Sequence, residues 1–276
     1  MSANQLATLQ TINDLFDRNV SQYSSNSATR YLPCATWAGR LTYDHLARHV
    51  ERFADALYLL DVRKDDRVAL ALPSSPQYII AFFGALRVGA VVANCEPDAS
   101  AAELCVQLTA CGAETLVAIN GCWRRLQEIR PATTLKRAIV TYPDDTLPRL
   151  ARWLGRAKLR RSGGWIDARR EERTYFFQEM LDFATQPAPP ITVARDDVAL
   201  IQYLQQASGS PTSAPLTHCG LVRRAICGSE QVIDGAVRHE TERVRPVAPF
   251  YRLDGLVGML HALALGDQLM LAGDDR

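Results

Sequence analysis

Apolar and polar positions follow two spacings along this chain, and the spacing changes from segment to segment. Between Thr42 and Leu60 the apolar residues recur every three or four positions, which predicts a helix from residue 43 with Thr42 as its N-cap. The short apolar run at 67–72 predicts a buried strand. Residues 77–87 are apolar almost all round, so we expect an interior helix there.

The alternation of helical and strand-like segments continues to the end of the chain. Strands are predicted at 90–93, 115–119, 137–141, 198–203, 244–247 and 268–271, and helices at 100–110, 123–128, 216–228 and 254–265. Short links between alternating elements are typical of parallel strands covered by helices. The sequence therefore predicts an α/β fold with mainly parallel sheets and helices on both faces.

Changes in this pattern divide the chain into four parts. These are an N-terminal segment (1–41), a first α/β subdomain (42–141), a basic and proline-rich connecting segment (142–197), and a second α/β segment (198–276). Within the connecting segment, a run that begins at Arg149 has six cations and no acid until Asp167: Arg149, Arg152, Arg156, Lys158, Arg160 and Arg161. Such a run is either a solvated face or a peripheral contact for anionic lipid or an acidic partner.

The bulk composition narrows the function classes. The chain has 276 residues, of which 47% are hydrophobic and 22% charged, and a net charge of +1, so no nucleic-acid partner is expected. Seven cysteines without a CxxC pair favour reduced thiols and predict no metal site. With no export signal and no long apolar run, we expect a cytoplasmic protein, with peripheral contact at the inner face of the membrane as an addition.

The stretch 199–222 places a strand-like run, a loop of small and polar residues, and a helical pattern that opens at Thr217 in that order. This order directs backbone N–H groups at an anion. The stretch resembles the signature loop of the adenylate-forming (AMP-binding) superfamily, in the form carried by long-chain fatty acyl-CoA synthetases. The positions shared with that loop are Gln202, Tyr203, Gly209, Leu216, Thr217, His218 and Leu221.

The centre of this loop departs from the family pattern. Gln205 and Gln206 replace glycines, Thr212 replaces the lysine, and Ser213 replaces the glycine after it. Glycine lets the backbone approach phosphates, and lysine supplies a cation to them. We therefore predict a degenerate nucleotide loop made of Leu204, Gln205, Gln206, Ala207, Ser208, Gly209, Ser210, Thr212 and Ser213. The resemblance implies ATP, Mg²⁺ and CoA for the intact family, but no tightly bound cofactor and no catalytic residue are expected here.

Two further passages are similar to the same family. Residues 60–120 match it in turn, strand and helix positions, which supports the fold. In residues 247–271, Arg252 stands where the family has a histidine beside its acyl and adenylate pocket. The arginine either places a permanent cation in that pocket or points to solvent. The possible pocket residues are Tyr203, Thr217, His218, Tyr251 and Arg252.

Intact family members are longer and carry further catalytic elements downstream. The resemblance therefore implies a truncated acyl-CoA synthetase-like protein that does not by itself activate a fatty acid with ATP. The chain could instead be a pseudoenzyme that binds or scaffolds an acyl group, a synthetase subunit or another protein. It could also be one piece of a split active ligase, or a structural remnant that forms a homo-oligomer.

Overall fold

Two β-sheets organise the chain. The computed structural model describes residues 9–31, 39–147, 168, 170–183, 186–204, 212–227, 237–239, 242–246 and 248–271. The larger sheet contains β3 (Arg67–Ala71), β4 (Val91–Asn94), β5 (Thr115–Ile119), β6 (Arg137–Thr141), β7 (Thr174–Phe176), β8 (Val198–Leu204) and β9 (Thr212–Thr217). Its strand order is β7-β6-β5-β3-β4-β8-β9, and every neighbouring pair is parallel except β8 with β9.

The smaller sheet joins strands from the two ends of the sequence. It contains β1 (Ser27–Tyr31), β2 (Arg40–Thr42), β10 (Val237–His239), β11 (Glu242–Pro246) and β12 (Gln268–Leu271), in the order β10-β11-β12-β1-β2. The central pair, β1 with β12, is parallel. Strands β8 and β9 thus belong to the sheet of residues 67–141, whereas later strands pair with the N-terminal segment. The four-part division of the sequence itself stays a prediction.

Helices cover the larger sheet on both faces, as predicted. The helices in the described parts of the chain are α1 (Ile12–Tyr23), α2 (Tyr43–Leu59), α3 (Pro76–Arg87), α4 (Ala101–Cys111), α5 (Trp123–Ile129), α6 (Phe177–Phe183), α7 (His218–Cys227) and α8 (Leu253–Ala264). Successive residues of β3 pack on opposite sides: Val68 and Leu70 join the apolar cluster of α2 and α3, while Ala69 joins that of α4 and α5. The mainly parallel α/β prediction is therefore confirmed.

Local signals explain why the predicted helices begin where they do. Thr42 accepts a hydrogen bond from the backbone N–H of His45, and Ser75 accepts one from that of Tyr78, so both residues are N-caps.

Inside the core, the rings of Phe16 and Phe83 stack with centroids 4.2 Å apart. This contact fixes α1 against α3.

The prediction of a helix at 216–228 was wrong at its start. Residues 212–217 form β9, which pairs antiparallel with β8, and α7 begins only at His218. Pro215 is tolerated because β9 lies at the edge of the sheet, where a missing N–H does not break a ladder. The degenerate loop thus joins two strands of a hairpin and does not lead directly into a helix.

Candidate functional site

A pocket of about 420 Å³ opens beyond the carboxyl ends of β4 and β8. The chain passes from β3 to β4 on one side and then returns to β5 on the other side of β3, so β4 flanks the switch point of the sheet. Crevices at such points are the usual ligand sites of open α/β sheets. The pocket is lined by Asn94, Glu96, Gln107, Gln202, Tyr203, Tyr251, Arg252, Leu253 and Asp254.

A buried hydrogen-bond network forms the floor of this pocket. The Tyr78 hydroxyl donates to Asn94 Oδ1 at 2.7 Å, and Asn94 Nδ2 donates to Gln202 Oε1 at 3.1 Å. Gln202 Nε2 then donates to the Tyr251 carbonyl at 2.9 Å. Asn94 and Gln202 are only 2% and 4% exposed. The network therefore ties β4 and β8 to the turn before α8 and fixes the floor without any charged group.

Tyr78 also holds that turn directly. Its hydroxyl oxygen lies 3.1 Å from the Phe250 carbonyl oxygen, so the single phenol proton is shared between this carbonyl and Asn94 Oδ1, and Asn94 Nδ2 approaches the same carbonyl oxygen at 3.4 Å. Burial raises the pKa of Tyr78 far above its ordinary value, so the phenol stays protonated and acts as a donor. The turn therefore depends on a neutral tyrosine.

Arg252 lies at the rim of the pocket. Its Nε donates to Asp254 Oδ1 at 3.2 Å, and the two side chains are 63% and 60% exposed. The sequence left two orientations open for Arg252, into the pocket or towards solvent. Most of the side chain faces solvent. Arg252 nevertheless lines the pocket entrance, where α8 begins one residue later.

Tyr203 closes the side of the pocket next to α4. Its hydroxyl donates to the carbonyl of Gln107 at 2.5 Å. Burial is the largest cause that raises the pKa of Tyr203, followed by the neighbouring Cys111, so this phenol is also neutral. Tyr203 is therefore a fixed wall of the pocket.

The structure brings together three of the five predicted pocket residues, namely Tyr203, Tyr251 and Arg252. Thr217 and His218 are not part of this lining. The Thr217 hydroxyl accepts from the N–H of Gly220 at 3.1 Å, and His218 Nδ1 faces the N–H of Ile12 at 3.4 Å. These two residues make local contacts around α7 and α1.

The degenerate loop lies next to the pocket along the chain. Leu204 pairs with Thr212 and Tyr203 with Ser213 in the β8–β9 ladder, so Thr212, the position of the family's lysine, belongs to a strand. Residues 205–210 of the predicted loop lie outside the described residues. The basic residues between 149 and 161 lie outside them as well.

Asn94, Glu96 and Asp254 were not among the predicted site residues. The sequence assigned Asn94 only to the scaffold, although its position at the carboxyl end of a buried strand is a signal for a ligand site. Glu96 follows two residues later and Asp254 lies in the first turn of α8. Only the strand order brings these three positions to one pocket.

The described residues offer no fit for a resident metal ion. Within these parts of the chain, no group of three or more His, Cys, Asp or Glu side chains is placed to hold one. Likewise, none of the helices in the described ranges is both long and apolar enough to cross a membrane.

His218 gives the fold a pH dependence that can be measured. The side chain is only 1% exposed, and burial lowers its pKa to about 4, against the opposing effect of Asp197. In the unfolded chain the pKa of this histidine is about 6.5. Below that pH the unfolded chain binds a proton at this residue, whereas the native state does not. We expect the free energy of unfolding to fall by about 2 kcal/mol between pH 7 and pH 5 through this group alone.

Denaturant unfolding at pH 7, 6 and 5 measures this loss. The variant His218→Gln keeps an acceptor for the Ile12 N–H but does not titrate, so its stability should depend less steeply on pH. His45→Gln, at an exposed histidine of α2, is the matched control and should keep the wild-type slope. Equal slopes for the wild type and His218→Gln would contradict the assignment.

Comparison with known protein families gives one extended match. Residues 16–276 match the family described as "AMP-binding enzyme". Among curated proteins, a long-chain-fatty-acid–CoA ligase of Escherichia coli O157:H7 is 27% identical over 274 residues, which cover 97% of this chain and 47% of that protein. A long-chain-fatty-acid–CoA ligase of Bacillus subtilis is 21% identical over 268 residues, covering 95% of this chain and 46% of that protein.

Solved structures show the same fold. A long-chain-fatty-acid-CoA ligase from Archaeoglobus fulgidus superposes with a TM-score of 0.72 at 18% identity, covering 95% of this chain and 47% of that one. Coronafacic Acid Ligase from Pectobacterium brasiliense gives a TM-score of 0.73 at 15% identity, with 96% and 46% covered. The chain thus spans about half the length of the proteins that it matches.

Proposed function

Because this chain belongs to the AMP-binding enzyme family, we propose that it binds a carboxylic acid in the pocket at the ends of β4 and β8 without, by itself, converting that acid to an acyl-adenylate with ATP. The names of the matched ligases make long-chain fatty acids the first candidates. Intact enzymes of the family use ATP and CoA as substrates, with Mg²⁺ as the metal ion.

The loss of adenylation rests on one observation, the residue types of the degenerate loop. Adenylation requires the triphosphate charge to be neutralised while the carboxylate is held in line with the α-phosphate. Thr212 and Ser213 donate hydrogen bonds but carry no charge, and Gln205 and Gln206 replace the glycines that would let the backbone approach the phosphates. These residue types support the loss of nucleotide chemistry.

The intact 276-residue chain should show neither MgATP binding by calorimetry nor acid-dependent exchange of pyrophosphate into ATP. A variant with the family's residues restored, Gln205→Gly, Gln206→Gly, Thr212→Lys and Ser213→Gly, should bind MgATP at least about tenfold more tightly, because a lysine adds a charge-assisted contact to phosphate. Pyrophosphate exchange by the unaltered chain would overturn the proposal.

Two other functions, one piece of a split ligase and a scaffolding module, would give different results in binding and exchange assays. Exchange that appears only when a second polypeptide is added would favour one piece of a split ligase. Binding of a synthetase subunit or self-association without any acid binding would favour a scaffolding module. The peripheral contact of the basic run with anionic lipid is a separate proposal, tested by sedimentation with anionic vesicles.

A further inference from the structure

Most of the described side chains that line the pocket proposed above as an acid site carry a polar group, although their rings and methylene groups leave apolar surface between these groups. Among the described residues, Leu253 is the single aliphatic residue in its lining, beside three amides, two carboxylates, one guanidinium and two phenol-bearing side chains. An aliphatic chain gains free energy by leaving water for an apolar surface, which this lining provides only in part, through Leu253 and the rings of Tyr203 and Tyr251. A polar ligand suits it better.

The floor of the pocket offers hydrogen-bond acceptors and few donors. The amide N–H groups of Asn94 and Gln202 are directed to Gln202 Oε1 and to backbone carbonyls of the turn before α8. Their carbonyl oxygens each accept one such bond and retain a second lone pair. Gln107 Oε1 is buried without a hydrogen-bond partner among the described residues. The floor therefore favours a ligand that donates.

Glu96 adds a negative charge on the same side. It follows the end of β4 by two residues and is half-buried. Within the part of the chain that the structure describes, its carboxylate has neither a hydrogen bond nor an ion pair. A half-buried carboxylate that is not neutralised attracts a cation, and a primary ammonium supplies three donors to it.

At the rim, Arg252 and Asp254 form an ion pair. Arg252 contacts Asp254 through its Nε. Its two terminal nitrogens have no acceptor among the described residues and can donate to a ligand. The helix α8 begins at Leu253 without a side-chain cap, and its first N–H groups add a positive partial charge at the same rim, which Asp254 in the first turn offsets in part. Together these groups suit a carboxylate.

We infer that this pocket selects a small carboxylic acid that also carries a primary amine, with the ammonium at Glu96 and the carboxylate at Arg252 and the start of α8. The inference rests on the proposed acid-binding function and changes its ligand class, since a long-chain fatty acid would leave Glu96 unpaired. The acceptor-rich floor, the carboxylate of Glu96 and the terminal guanidinium nitrogens of Arg252 together carry the inference.

Four probes separate the contributions of the amine, the carboxylate and a long aliphatic chain to binding. Calorimetric titration of the full chain compares 6-aminohexanoate with hexanoate, which lacks the amine, with hexylamine, which lacks the carboxylate, and with hexadecanoate. The expected result is that 6-aminohexanoate binds at least about tenfold more tightly than the other three, the usual effect of one charge-assisted contact. Tighter binding of hexadecanoate would overturn the inference and leave the proposed acid-binding function intact.

The variant Glu96→Gln locates the amine. It should weaken 6-aminohexanoate about tenfold and leave hexanoate unchanged. Asp98→Asn removes the same charge from an exposed side chain two residues away, outside the pocket lining, and should change neither affinity. Equal losses in the two variants, or no loss in Glu96→Gln, would overturn the inference. Absence of binding by all four probes would overturn the acid-binding function together with it, and pyrophosphate exchange tests the loss of adenylation independently.

Discussion

Replacing Gly255 by alanine is expected to lower the free energy of unfolding by about 3 kcal/mol, because the added methyl group has no room. A Cβ at this position would lie 2.1 Å from the carbonyl oxygen of Pro249 and 2.5 Å from that of Ala248. Both are backbone atoms, so relief requires α8 to move away from the turn at 248–250. That movement would also disturb Tyr251 and Arg252 at the pocket rim.

Chemical denaturation of Gly255→Ala and of the wild type measures the loss. Gly121→Ala is the matched control, since a Cβ there meets nothing within 4 Å, and its effect should stay within about 0.5 kcal/mol. Equal stability of the two variants would show that α8 and the turn do not pack as closely as described.

The variant Asn94→Asp is expected to destabilise the protein by about 2 kcal/mol at pH 5 and by about 4 kcal/mol at pH 8. The change removes the donor that serves Gln202 Oε1 and the Phe250 carbonyl, and it places a carboxyl group at a site only 2% exposed. Burial disfavours the charged form, so the pKa of the new carboxyl in the folded state lies above the unfolded value of about 3.9.

The sign of the pH effect follows from that shift. Between the unfolded and folded pKa values the unfolded chain has released a proton that the native state keeps, so stability falls as the pH rises. Denaturant unfolding at pH 5, 6.5 and 8 provides the measurement. Asn26→Asp makes the same chemical change on an exposed side chain and should show no added slope against wild type. A flat pH profile for Asn94→Asp would contradict the buried network.

Much of the larger sheet could be predicted because its strands are short apolar runs with clear ends. The segments 115–119 and 137–141 of this sheet, and 268–271 of the smaller sheet, have the same bounds in the sequence prediction and in the structure. The sequence pattern predicted no helix or strand within residues 1–41 and 142–197, so the elements there were missed. For α1 the local signal existed: Thr11 and Asp14 form a capping box in which each side chain accepts the other's backbone N–H.

Some further elements carried no readable local signal. Strands β1, β2 and β7 are three to five residues long, and β1 is fixed by pairing with β12 from the other end of the sequence. Strand β9 looked like loop and helix because its composition is small and polar with a proline. Pairing with other strands of the fold, and not the local β propensity of their residues, determines that these segments form strands.

The candidate site was predictable only where resemblance supplied it. Tyr203, Tyr251 and Arg252 were expected on that basis and lie together at the pocket. Asn94 and Glu96 come from a strand end more than a hundred positions earlier, and only the order of the strands brings them near Gln202. The charge of the lining, which governs the ligand class, could therefore not be read from the sequence.

The parallel pairing of β1 with β12 has a consequence for how the chain acquires its structure. Thr29 pairs with Leu269, so this part of the smaller sheet cannot form until nearly all of the described chain has been synthesised. Contacts between residues so distant in sequence slow folding, because the loop between them must be closed first. Residues 67–141 already contain four neighbouring strands of the larger sheet and can assemble earlier on the ribosome. Until β12 emerges, β1 exposes an unpaired edge, and this edge is where a chaperone or a misplaced strand would bind during synthesis.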